Sequence, residues 1–222
     1  MKTVINVGTL SCLCSKSPTS NKVTYILYPF ESLQDWVEDA VEEYDTSIVV
    51  ISNMDWDNDL TPWPAKGVPA GSPDFQGKAQ ELLQTIKKDI IPAAEKELGI
   101  NNPSERDLVG VSLSGLFTLW QWALCDEFKS IASMSGSFWY EGFTQWFEQQ
   151  KLTGKTGKAF FLLGKDEPHS SVKEFDSVGV NTLSIVDYLK SQNIPTEFIW
   201  VPGNHFSDPI GRLNLAMKGL QG

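Results

Sequence analysis

The chain of 222 residues is poor in the groups that most protein cofactor chemistry needs. It has only two histidines, His169 and His205, and three cysteines, Cys12, Cys14 and Cys125. Two histidines make no credible zinc set, and the lone C-x-C at 12–14 is a weak metal signal. An odd number of cysteines in a chain of this size argues against a disulfide framework. Positive charge is also scarce: 18 Lys and Arg stand against 28 Asp and Glu, a formal net charge of -10. That sign would repel nucleic-acid phosphates and disfavours an anionic membrane surface. No apolar run reaches the roughly 18 residues of a membrane-spanning helix. The N-terminal stretch MKTVINVGTLSCLCSKSP is interrupted by Thr, Asn and Gly and lacks a signal-peptide core. The expectation is therefore a cytoplasmic protein with no membrane or nucleic-acid partner, no metal and no cofactor.

Two nucleotide and cation motifs fail on inspection. DWDND at 55–59 starts like a calcium loop, but the required glycine position holds Leu60 and the twelfth position holds Lys66. TGKTGK at 153–158 ends like a P-loop, but the earlier glycine position holds Gln149. No G-x-G-x-x-G follows a strand.

What the chain does contain is a regular alternation. Short apolar segments rich in β-branched and aromatic residues recur: VTYILY (23–28), SIVVIS (47–52), DLVGVS (107–112), SIASMS (130–135), AFFLLG (159–164) and TEFIWV (196–201). Most lack polar alternation, as expected of parallel strands covered on both faces. KTVINVGT (2–9) reads as a further strand at an edge. Between them lie segments of helical period: 33–44, 79–98 with Pro92 inside it, 114–127, 141–150, 182–192 and 210–220. This order predicts one α/β domain over 1–222, with a mostly parallel sheet of about six to seven strands and helices on both faces. The loop from 53 to 78 is long and rich in Pro, Gly and Asp. It leaves the sheet at the carboxyl end of a strand, where open α/β sheets bind ligands.

The chemistry concentrates at GVSLSG, 110–115. A strand ends and a helix begins there with almost no loop, as in the nucleophile elbow G-x-S-x-G. Gly110 and Ser114 hold the two small-residue positions around Ser112. Ser112 is thus the candidate nucleophile, and the Leu113 amide at the helix start a candidate oxyanion donor. Ser114 is the weaker nucleophile candidate, because Ser112 rather than Gly precedes it by two. A serine nucleophile needs a base. His205, in VPGNHFSDP after the last strand, stands where a Ser…acid…His order puts it, whereas His169 comes too early. The acid should follow AFFLLG, where GKDE offers Asp166 and Glu167. A second oxyanion amide is expected in YPFES (28–32), from Phe30 or Glu31.

These features resemble the Putative esterase family of α/β-hydrolases, which includes esterase D and the enterochelin-type siderophore esterases. The likeness runs from about Val23 to the C-terminus. It rests on VTYILY, DWDNDLTPWPA, GVSLSGLFTLW, SGSFWYEGF, GKDE and PGNHFSDP. It implies the α/β-hydrolase fold with a minimal lid or none, and cleavage of a small-molecule ester or thioester through an acyl-enzyme. Members commonly place the acid three residues after the glycine that ends the strand. Gly164 puts that position at Glu167, with Asp166 second. Many members carry His-Gly after the first strand, where this chain has Tyr28-Pro29. Trp56, Trp63 and Trp139 lie in loops near the expected crevice and form a candidate aromatic substrate wall. Acyl transfer on the same scaffold, or a binding module that kept the fold, are the alternative functions.

Overall fold

A computed structural model describes residues 2–29 and 33–221. Eight strands join one sheet in the order β1-β2-β4-β3-β5-β6-β7-β8. They are β1 (Lys2–Val7), β2 (Leu10–Ser15), β3 (Val23–Leu27), β4 (Ser47–Ser52), β5 (Arg106–Val111), β6 (Ser130–Met134), β7 (Ala159–Gly164) and β8 (Thr196–Val201). Every neighbouring pair from β4 to β8 is parallel. β1 and β2 form an antiparallel hairpin across Gly8-Thr9, and β2 pairs antiparallel with β4. The sheet is thus mostly parallel, with eight strands rather than six or seven. The additional strand is β2. Its small, polar-interrupted sequence LSCLCS hides a period-2 pattern in which Leu10, Cys12 and Cys14 face the core.

The strands are buried on both faces, and consecutive residues enter two different cores. In β3, Tyr25 and Leu27 join one core while Ile26 joins the other; in β7, Phe161 and Phe160 divide the same way. Helices α1 (Gln34–Glu43) and α8 (Pro209–Gln221) close one face through Val37, Ala40, Leu213 and Met217. The other face is covered by α3 (Ala79–Thr85), α4 (Ile91–Leu98), α5 (Leu113–Leu124), α6 (Phe143–Phe147) and α7 (Val178–Ser191). The short α2 (Trp56–Asp59) lies in the 53–78 loop. Residues 79–98 are helical throughout, as the periodicity predicts. The irregularity is a π-helical turn at Ile86–Ile90, immediately before α4, which carries Pro92 in its first turn. A ring that cannot donate an N–H, and that crowds the preceding turn, disturbs the ladder upstream of itself.

Because β3 to β8 run parallel, their carboxyl ends share one edge. The chain order reverses at β3, with β4 on one side and β5 on the other. The crevice between the ends of β3 and β5 is a topological switch point, where open α/β sheets bind ligands.

Candidate active site

The turn after β5 is built by sterics. A Cβ at Gly110 would lie 2.2 Å from the Ser114 carbonyl oxygen and 2.5 Å from Thr118 Oγ1, so only glycine fits. Gly115 is constrained from the other side: a Cβ there would meet Ser133 Oγ at 2.6 Å. Between them Ser112 adopts φ 56° and ψ -123°, a left-handed backbone that a non-glycine residue rarely holds. Three backbone hydrogen bonds fix it: Ser112 N donates to Met134 O, and the amides of Leu116 and Ser137 donate to Ser112 O. Ser114, which stands where a glycine is usual, is fully buried. Its hydroxyl accepts the Val111 amide at 2.7 Å and lies 2.8 Å from the Leu27 carbonyl, stitching the end of β3 to the turn. The serine therefore adds a bond that glycine would lack.

The three strands next to β5 deliver the remaining groups. Glu167 opens a single 3-10 turn after β7 and is 7% exposed. Its Oε2 lies 2.8 Å from His205 Nδ1. Its Oε1 accepts bonds from Ser135 Oγ at 2.6 Å, the Gly164 amide at 2.7 Å and Arg212 Nη1 at 3.1 Å. Burial pushes this carboxyl up, but the bonds from His205, Ser135 and Gly164 outweigh burial and hold it below the usual glutamate range. Asp166, one residue earlier, is exposed, and its side chain takes no part in this network. Geometry thus pairs His205 with Glu167 rather than Asp166.

His205 sits on the loop after β8. Asn204 organises that loop: its Oδ1 accepts the Phe206 amide, and its own amide donates to Ser207 Oγ. A neutral imidazole donating from Nδ1 to Glu167 leaves Nε2 as an acceptor. The partner of the Ser112 hydroxyl is Ser137 Oγ at 3.3 Å. Ser112 and His205 line the same two cavities.

Arg212 was not singled out from the sequence. It lies on α8, 5% exposed, and donates to Ser135 Oγ and Glu167 Oε1 through Nη1, and to the carbonyls of Asn204 (2.7 Å) and Pro202 (3.3 Å) through Nη2. One guanidinium therefore ties the carboxylate to the histidine loop. The sequence signal was a charged residue in register with Ala216 and Leu220 on the buried face of a helix, a position that requires partners. Ser135 and Ser137, at the carboxyl end of β6, were likewise found only in three dimensions.

Of the three candidate wall tryptophans, Trp56 and Trp139 line the cavity around Ser112. Trp63 does not. It packs against Tyr140, Phe143 and Trp146, and its Nε1 donates to the Glu141 carbonyl. The Leu113 amide is at the first turn of α5, beside Ser112. Phe30 and Glu31 lie outside the described residues. Among the described residues no cluster of His, Cys, Asp and Glu could hold a metal ion. No helix there is long and apolar enough to cross a membrane.

The family model described as Putative esterase matches residues 26–174, more than half of the chain and including the β5 turn. The chain belongs to that family. A curated relative, an uncharacterized protein YbbA of Bacillus subtilis, is 28% identical over 143 residues, 62% of this chain and 57% of its own length. Among solved structures, this esterase-family chain is similar to an IroE-like serine hydrolase from Shewanella oneidensis. That match has a TM-score of 0.78 and 15% identity, over 100% of this chain and 79% of the other. A siderophore hydrolase, EstB from Aspergillus nidulans, matches with a TM-score of 0.77 and 17% identity, over 100% and 94%. At these identities the likeness establishes the α/β-hydrolase fold.

Proposed function

We propose that the protein is a serine esterase that works through an acyl-enzyme, with Ser112 as nucleophile, His205 as base and Glu167 as the acid that orients it. The observation that carries this reading is the convergence of three features at one sheet edge. They are a strained serine at a strand-to-helix turn, a histidine lining the same cavity, and a buried carboxylate 2.8 Å from that histidine. Family membership supports ester hydrolysis as the reaction class.

In this mechanism the carboxylate holds the imidazole with Nδ1 protonated, so that Nε2 takes the Ser112 proton as the hydroxyl attacks the acyl carbonyl. The Ser112 hydroxyl first exchanges its contact with Ser137 for one with His205. Such bonds are often slack before substrate arrives. The Leu113 amide, at the positive end of α5, stabilises the oxyanion, and the loop after β3 supplies the second donor. The imidazolium then protonates the leaving alcohol. A water molecule repeats the sequence on the acyl-serine and releases the acid.

The test is pre-steady-state kinetics with p-nitrophenyl acetate. The proposal expects a burst of p-nitrophenol stoichiometric with enzyme, abolished in both Ser112→Ala and His205→Ala. Turnover retained in the Ser112→Ala protein would overturn it.

A further inference from the structure

Ser112 and His205 line two chambers that differ in the charged residues around them. On one side is a cavity of about 330 Å³, formed by Tyr28, Pro29, Val111, Met134 and Pro209 at the switch point between β3 and β5. A cavity of roughly 150 Å³ holds a benzene ring, so this one suits a compact apolar group of up to about two rings. Among the described residues its charged neighbour is Arg212, whose two Nη atoms are committed to Glu167, Ser135 and two carbonyls while its buried Nε has no partner.

On the other side is a cavity of about 680 Å³. Its wall combines aromatic rings with an unpaired carboxylate. Trp139 and Phe175 pack with ring centroids 4.8 Å apart, and Asp166, which has no ion-pair partner among the described residues, lines the same cavity. Trp139 also lines a neighbouring cavity of about 700 Å³, whose charged lining is Glu141, Glu174 and the Lys66–Asp74 pair. Nearby cations are spent or turned away. Lys66 pairs with Asp74, and Lys165 lines a neighbouring groove that shares His169 with the larger chamber but does not itself line that chamber. Among the described residues no lysine or arginine lines the larger chamber, whose ionisable groups are Asp166, Glu167, His169 and His205.

We propose that the larger chamber binds a cationic group, so that the substrates are esters joining a compact apolar moiety to an amine- or quaternary-ammonium-bearing one. This rests on the esterase reading for the reaction but not for the binding. Aromatic faces attract a cation, carboxylates add long-range attraction, and both act against an anionic group placed there. The net charge of -10 acts in the same direction at a distance.

The experiment compares matched esters of one small apolar acid: the choline ester, its neutral 3,3-dimethylbutyl isostere and a sulfonate-bearing analogue. A second series puts the same charges on the acyl side. The expected order of kcat/KM, in whichever series places the group in the larger chamber, is cationic over neutral by about tenfold at low salt, with the anion slowest. The advantage shrinks at high ionic strength and in Asp166→Asn/Glu174→Gln. Equal rates for cationic and neutral esters in both series, or a preference for the anion, overturn the proposal. Calorimetric binding of the same pairs to Ser112→Ala separates the two readings. If no ester is hydrolysed but the cation binds more tightly than its isostere, the chamber assignment stands and the esterase reading fails. If neither discriminates, the chamber assignment fails.

Discussion

Replacing Arg212 by methionine keeps most of the side chain's bulk and removes its charge. The structure allows the cost to be worked out. Glu167 would stay buried and ionised after losing one of four hydrogen-bonding partners. His205, Ser135 and the Gly164 amide would still face it. Removing one partner of a buried pair costs about 3–5 kcal/mol, and the remaining donors put this case near the lower end. The freed carbonyls of Pro202 and Asn204 belong to exposed residues, so water replaces the guanidinium there at small cost. The expected loss is about 3 kcal/mol, read as a lower urea midpoint with an unchanged denaturant slope. Activity should fall as well, because the same guanidinium fixes the loop that carries His205. Arg212→Lys, a point charge without the fork, should recover part of the stability and less of the activity. A double-mutant cycle with Glu167→Gln should show coupling, since removing the buried negative charge removes the need for its cation. A loss below about 1 kcal/mol in Arg212→Met, with additive effects in the cycle, would refute the view that this cation balances Glu167.

Three other outcomes are expected. Glu167→Gln should lower kcat by about 10³–10⁴ through loss of the correct imidazole tautomer. It should also remove this residue's share of the acid sensitivity: a carboxyl held below its ordinary 4.5 stabilises the fold above that pH and loses the contribution as pH falls through the depressed value. Asp107 behaves in the opposite sense. Burial raises it to about 6 from 3.8, so its stability contribution falls as pH rises through that window. Asp107→Asn should therefore stabilise the protein at pH 8 by an order of 2–3 kcal/mol, with little effect at pH 4, in chemical denaturation at the two pH values. Gly110→Ala drives a Cβ into the Ser114 backbone and should cost about 3 kcal/mol or more, with loss of activity; near-native stability would show that the turn has slack.

How far such features can be read without coordinates depends on how local their causes are. The Ser112 turn was legible because a strand passing into a helix without a loop has few backbone solutions, and these demand small residues at 110 and 114. His205 could be named as the candidate base because histidines are so few, and the structure places it 2.8 Å from Glu167. Glu167 and Asp166 were not separable by residue pattern alone. Their difference lies in which side chain folds back under the sheet edge, and the Gly164 amide is part of the reason. Arg212 was missed because its partners come from β6, β7 and the loop after β8. Ser137 was missed because its role depends on the approach of β6 to β5. Trp63 lies in the same loop as Trp56, yet it packs on α6, and proximity along the chain cannot decide which way a loop residue turns. β2 escaped notice because cysteine and serine blur the apolar alternation that marks a strand.

The central claim is that Ser112 is an activated nucleophile held beside a histidine that Glu167 orients. Labelling the folded protein with a fluorophosphonate and locating the adduct by mass spectrometry tests it most directly. The account predicts a single phosphonylated residue, Ser112, with labelling lost in Ser112→Ala and strongly slowed in His205→Ala. An unlabelled native protein, or an adduct on Ser135 or Ser137 in place of Ser112, would contradict it.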